Sequence, residues 1–348
     1  MDGKSLRKVA AGALVGAGLL LVIALAGCRP ASEGASAAKS VVLYTSVDER
    51  FARETLEAFE KQTGIHVDLL TDSEAGKTTG LLRRLVREAE RPRCDVWWSS
   101  EVFGTIELAR QGVFTPYRSP AAADVPAAWK DPQDLWTGVA ARARVLAFHR
   151  GKVRREELPG TWLELGEPAW AARLAIANPE FGTTRGHVAA LLATHGSEAF
   201  DKFLQGLHDA GARIADGNAH AVRLVASGAA DVCLTDTDDV WVAQGRSEPI
   251  DLVYPRLTAD GPIMWIPCSV ALVRGGPNAV GGRKLIDFLV SAAAERALAE
   301  SESRNVPVRP ALREELGMSG PAPEPVDFNA VADALPEAMR KAGDILLK

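Results

Sequence analysis

From Val41 onward, short apolar runs alternate with longer segments whose apolar residues recur at helical spacing. VVLY (Val41–Tyr44) reads as a buried parallel strand. Ser46-x-x-Glu49, the spacing of a capping box, follows it, and then a helix with Ala52, Thr55, Leu56 and Phe59 on one face. That helix is expected to stop at Gly64, where a residue without Cβ suits the left-handed C′ position. IHVDLL (Ile65–Leu70) and DVWW (Asp95–Trp98) are the next strands, and the helices after them carry Leu81, Leu82, Leu85 and Val86, then span Glu101 to Gln111. A second block repeats the scheme. LAIA (Leu174–Ala177), RIA (Arg213–Ala215) and DVCLT (Asp231–Thr235) are strands, followed by helices closing at Gly196, running from Ala219 to Ser227, and running through Trp241 to Gly245. Strands alternating with helices of this length predict an α/β fold on parallel sheet with right-handed crossovers.

Two further apolar segments, Gly138–Arg150 and Pro262–Gly276, read as connections between the blocks, and the second leads into helical sequence that packs back on the first block. The expectation is two lobes joined by two crossings around a central cleft, the architecture of a hinged binder. Its boundaries are residues 41–140 and 270–348 for lobe 1 and 141–269 for lobe 2. Ligands of open parallel sheets sit outside the carboxyl ends of the strands. Five polar loops lie there: Thr45–Glu49, Ser99–Glu101, Asn178–Arg185, Asp216–Asn218 and Asp236–Asp239.

The first 27 residues are of another kind. Lys4, Arg7 and Lys8 precede an apolar run from Val9 to Ala26, and the stretch closes on LAGC, ending at Cys28. A positive start, an apolar middle and small residues before a cut site describe a secretory signal, though the run is nearly long enough for an uncleaved anchor. LAGC resembles the bacterial lipobox, which implies lipidation at Cys28. Residues 28–40, rich in Ala, Ser and Gly, read as a flexible tether. The body is therefore expected outside the cytoplasm, tied to a membrane through its lipid.

Composition narrows the chemistry. Removing residues 1–27, with three basic residues and one acid, leaves 37 basic against 44 acidic residues. No basic stripe with interleaved aromatics exists, which argues against nucleic acid. Cys94, Cys233 and Cys268 are isolated and lack the close spacing of a zinc or thiol–disulfide motif, which leaves buried thiols or one long-range disulfide. EAGKTTG is similar to a P-loop ending, but Thr71 stands where the first glycine is needed; Lys77 and Thr78 are candidates for the cleft rim. The six histidines show no metal spacing, and His187 reads as structural. There is no nucleophile elbow or nucleophile–base pair, so an extracytoplasmic hydrolase is disfavoured and no enzyme is expected. Trp97, Trp98, Trp241 and Trp265 read as core, with Trp98 and Trp265 as candidate cleft walls.

VVLYTSVDERFARETLEAFEKQTGIHV, DVWWSSEVFGTIELARQGVF, IANPEFGTTRGHVAALL and GAADVCLTDTDDVWVAQGRSEPIDLVYP together cover most of the chain after the tether. They resemble the extracellular solute-binding proteins of ABC importers, and most closely their ferric-iron-binding branch. The resemblance implies a type-2 periplasmic-binding-protein fold. It implies a monomer that closes on one small ligand or metal ion and hands it to ABC permease and ATPase subunits, Fe(III) being the transported ligand and an anion its partner. One departure matters. The iron branch places two adjacent tyrosines after the strand that corresponds to DVCLT, whereas this chain has Asp236-Thr237-Asp238-Asp239. Phenolate suits a hard ferric ion, and only Tyr44, Tyr117 and Tyr254 exist in the chain.

The candidate ligand contacts are Tyr44, Ser46, Ser99, Ser100, Glu101, Thr183, Thr184, Arg185, Asn218, Asp236, Asp238 and Asp239, with Tyr44, Glu101 and the three aspartates as candidate metal ligands. Each also has a purely structural reading. The aspartates suit a helix N-terminus, Tyr44 a core position, Ser46 and Glu49 the capping box, Asp48 a helix-start charge, and Ser99–Glu101 a helix start. Thr183, Thr184 and Arg185 at an uncapped helix start offer an oxyanion hole. Acids on four loops and an anion hole on the fifth suit a metal with a partnering anion. They equally suit a zwitterionic organic ligand, and a receptor for a small organic or phosphorylated anion or a sensor subunit are the alternatives.

Overall fold

The computed structural model describes residues 40–72 and 79–348. The signal segment, Cys28, the tether up to residue 39, Lys77 and Thr78 lie outside the described residues; Ser40, read as the tether's last residue, begins the first strand. No helix among the described residues is long and apolar enough to cross a membrane.

In chain order the first elements are β1 (Ser40–Thr45), α1 (Glu49–Thr63), β2 (His66–Thr71), α2 (Thr79–Arg87), β3 (Val96–Ser99), α3 (Phe103–Arg110), β4 (Phe114–Thr115) and β5 (Thr137–His149). Then come α4 (Pro168–Ala171), β6 (Leu174–Ala177), α5 (Gly182–Asp209), β7 (Arg213–Ala215), α6 (Asn218–Ala226), β8 (Val232–Asp236), α7 (Thr237–Gly245), β9 (Ile250–Val253) and β10 (Trp265–Val273). Helices α8 (Ala279–Leu289), α9 (Ala292–Glu300), α10 (Pro310–Glu315) and α11 (Phe328–Leu346) complete the chain.

The strand order β2-β1-β3-β10-β5-β8-β6-β7 explains the two lobes. β1 pairs with β2 and β3 in parallel on one side, and β6 pairs with β7 and β8 in parallel on the other. β5 and β10 join these groups, and every pairing they make is antiparallel. The strands of each block pair in parallel as expected, and the two connecting segments prove to be strands that run against their neighbours, which makes the whole sheet mixed. Both are buried almost throughout, which is why their sequence is mostly apolar rather than alternating.

Local chemistry sets the ends of the helices. Gly64 adopts φ 69° and returns its N–H to the Glu60 carbonyl at 2.8 Å, stopping α1. Gly196, at φ 78° and ψ 172°, breaks α5 where a stop is read in the sequence, and helix resumes beyond it. The capping box at α1 does not form. Asp48 is the N-cap, and the Ser46 hydroxyl lies 3.3 Å from each of the Ser99 and Ser100 hydroxyls, bonding the first two loops together instead. Cys94, Cys233 and Cys268 are buried free thiols.

α11 falls in the segment expected to belong to the first lobe, yet it runs along α5 and also meets α3. Lys341 Nζ lies 2.6 Å from Asp201 of α5, and the Phe328 ring lies 6.1 Å from that of Phe103 in α3.

Candidate ligand site

Three helices begin at one place. β6, β7 and β8 end side by side, and α5, α6 and α7 start directly after them, so their unpaired backbone N–H groups converge. A cavity of about 240 Å³ lies against these N-termini and against the first lobe's loops. Residues of all five loops singled out in the sequence line it: Asp48, Ser100, Asn178 with Phe181 to Thr183, Asp216 to Asn218, and Asp236 with Asp238 and Asp239.

The charge in this cavity is organised by two residues that the sequence reading passed over, Arg142 and Arg144 of β5. Both are buried, at 7% and 0% exposure, and being two apart they share one face of the strand. Arg144 Nη1 donates to Asp236 Oδ1 at 2.8 Å and to Thr183 Oγ1 at 3.1 Å, while Nε points at His187 Nδ1 at 3.3 Å. Asp236 Oδ2 accepts from the Thr183 hydroxyl at 2.5 Å and from Asn218 Nδ2 at 2.9 Å. Arg142 Nη1 donates to Asp238 Oδ2 at 3.0 Å and lies 3.8 Å from Asp236, and its Nη2 donates to the Ser100 carbonyl. Burial opposes ionisation of Asp236, but Arg144 and Arg142 beside it prevail and hold its carboxyl below the ordinary range. At Asp238 the balance reverses: burial, reinforced by Asp236 and Asp48, outweighs Arg142 and pushes the carboxyl up. Despite its burial Arg142 stays charged, held so by Asp238 and Asp236.

One oxygen of the cluster is left over. Asp238 Oδ1 is buried and accepts no hydrogen bond. Asp236, Asp238 and Asp239 each bring a carboxylate oxygen within 4.8 Å of one another, a spacing that suits a cation or a multiply protonated amine. Asp236 is fully engaged by Arg144, Thr183 and Asn218.

The remaining candidates divide. Thr183 and Asn218 line the cavity; Thr184 does not, and its hydroxyl donates to Asn218 Oδ1 at 3.1 Å. Ser100 lines it, while the Ser99 hydroxyl accepts from the Glu101 N–H at 3.2 Å. Three expectations are corrected. The Tyr44 hydroxyl donates to Glu88 at 2.9 Å, and burial with that carboxylate pushes its pKa up to about 12, so it supplies no phenolate to this cavity. Glu101 folds back on its own helix, accepting from the N–H groups of Phe103 and Gly104, because the uncapped start of α3 needs an acceptor. Arg185 gives both Glu107 oxygens a bond at 2.7 Å and lines a different groove, so its guanidinium is turned away from this cavity. Trp98 is fully buried, and Trp265 walls a separate cavity. His187 is buried, as a structural histidine, and burial and Arg144 hold it neutral.

Glu101 carries a pH signature. Burial, against the pull of Arg185, raises its pKa from 4.5 to about 7. The unfolded chain then releases this proton before the folded one does, so folding stability falls as pH rises from about 4.5 to about 7 and is level beyond it, by roughly 3 kcal/mol at most. Glu101→Gln keeps an acceptor for Phe103 and Gly104 but cannot ionise. The expected outcome is a flatter dependence of melting temperature on pH between 5 and 8 than in the parent; equal slopes would show that Glu101 titrates normally.

Known proteins match this chain over most of its length. The family model of bacterial extracellular solute-binding proteins matches residues 106–333. Iron uptake protein A1 of Synechocystis is 28% identical over 298 residues, 83% of this chain and 81% of that protein. A putative 2-aminoethylphosphonate-binding periplasmic protein of Salmonella paratyphi A is 26% identical over 304 residues, 84% of each. Among solved structures, iron-bound HitA from Pseudomonas aeruginosa superposes with a TM-score of 0.76 at 23% identity, covering 88% of this chain and 99% of that one. With a family model matching well over half of its residues and a two-lobed fold around a polar cavity, the chain belongs to the bacterial extracellular solute-binding proteins.

Proposed function

We propose that this chain is the solute receptor of an ABC importer of the iron-binding type, lipidated at Cys28, acting by reversible capture rather than catalysis. Its solute is ferric iron held together with a small anion. The observation that carries this reading is the acidic cluster at the start of α7. Asp238 and Asp239 line the cavity with Asp48 opposite them, and Asp238 Oδ1 is buried without a donor. A cation supplies what that oxygen lacks, and carboxylate oxygen is hard enough for iron(III). The convergent N-termini of α5 and α6, with Arg142 and Arg50, favour an anion beside it. The names of the relatives from Synechocystis and Pseudomonas support iron as the cargo. Capture proceeds by hinge closure, since contacts from both lobes line one cavity and a ligand touching both favours the closed state.

A second reading has its own support. Arg142 and Arg144 already neutralise much of the cluster, and no tyrosine stands among the cavity's lining residues. A zwitterion such as 2-aminoethylphosphonate, the solute in the name of the Salmonella relative, satisfies the same geometry with its ammonium on Asp238 and Asp239 and its phosphonate on the helix N-termini. A thermal-shift titration separates the two. The protein is offered Fe(III)-citrate, with and without carbonate or phosphate, and separately 2-aminoethylphosphonate. A true ligand at a hundredfold excess over Kd stabilises by about 2.7 kcal/mol. A rise with iron supports the first reading, a rise with the zwitterion alone replaces it with the second, and no response to either overturns both.

A further inference from the structure

A second cavity, of about 660 Å³, lies between α7, the start of β10 and α10, and shares no lining residue with the solute cavity. Its walls are aromatic. Trp241 comes from α7, Tyr254 from the segment after β9, and Trp265 from the first position of β10; the Tyr254 and Trp265 rings stack with centroids 6.5 Å apart and planes 25° from parallel. Two of its polar groups are cationic. Arg304 holds its guanidinium 5.9 Å from the Trp241 ring centroid, and Arg313 reaches in from α10. Neither guanidinium meets a carboxylate among the described residues, and Glu314 is the one acid in the lining.

The unmet hydrogen-bonding groups of this wall are donors. Trp265 Nε1 belongs to a side chain only 2% exposed and has no acceptor, and Arg313 Nε is likewise buried and unpaired. Flat apolar walls select a planar ring, while guanidinium groups select a carboxylate, which they bind through paired N–H donors. A small inorganic anion leaves the aromatic faces uncovered, and a neutral ring leaves the arginines without a counter-charge.

We propose that this cavity is a second ligand site, one that takes a small aromatic carboxylate with its ring against Trp241 and Tyr254 and its carboxylate on Arg304 and Arg313. The test is calorimetric titration of the full-length protein with 4-hydroxybenzoate, beside benzamide, which has the ring without the charge, and acetate, which has the charge without the ring. The expected result is a saturable one-site isotherm for 4-hydroxybenzoate, with benzamide and acetate each weaker by about tenfold or more. Arg313→Gln and Arg304→Gln are each expected to weaken 4-hydroxybenzoate by about tenfold. Arg304 is exposed, so its variant keeps the test informative should Arg313→Gln fail to fold. Absence of saturable heat, benzamide binding as tightly as the carboxylate, or unchanged affinity in the Arg304→Gln protein each overturns the proposal.

Discussion

Arg144→Met is expected to destabilise the fold by about 3–5 kcal/mol, the cost of leaving a buried carboxylate without its counter-charge. Arg144 is fully buried and serves Asp236, Thr183, Thr184, Asn218 and His187 at once, so its removal strips donors from β8, α5 and α6 together. The loss is read as a lower urea midpoint with an unchanged denaturant slope. Two consequences separate this cause from ordinary loss of packing. Adding Asp236→Asn to the Arg144→Met background recovers part of the loss, because the stranded charge is gone; simple additivity of the two changes contradicts the pairing. The pH dependence also reverses. In the parent, Asp236 is held below its ordinary pKa, so its contribution is present above the unfolded value of 3.8 and is lost as pH falls through the folded one. Without Arg144, burial raises that pKa, and the variant weakens as pH rises.

The second large effect is on binding. Asp238→Asn keeps an acceptor for Arg142 but removes the charge behind the one buried, unpartnered oxygen of the cluster. Solute affinity is expected to fall by about 2 kcal/mol or more, some thirtyfold in Kd, measured on the folded variant. The same loss is expected for ferric citrate or for 2-aminoethylphosphonate, since both readings set positive charge on Asp238. Unchanged affinity places the solute elsewhere.

Much of this architecture is legible in the sequence because it depends on local chemistry. Gly64 and Gly196 stop helices through their own backbone freedom, and the strand-then-helix order alone marks the five loops that meet at the cavity. What resists sequence reading is long-range pairing. Arg142 and Arg144 find their partners 96 and 92 residues away. The signal was present nonetheless: two arginines two apart in a strand otherwise apolar from Val139 to Phe148 cannot stay unpaired once buried. Tyr44, Glu101 and Arg185 looked like ligands because they sit in or beside the right loops. Each is drawn away by an acceptor or donor that spacing does not reveal: Glu88, the start of α3, and Glu107 on the facing lobe. The three aspartates lie together, but Asp238 and Asp236 are paired with arginines from another strand.

The most direct test of the proposed site is diffraction at the iron absorption edge from crystals of the protein grown with ferric citrate. The expected result is an anomalous peak within bonding distance of the Asp238 and Asp239 carboxylates, with the anion against the N-termini of α5 and α6. A protein that carries no iron peak there, or that holds its iron away from both aspartates, contradicts it.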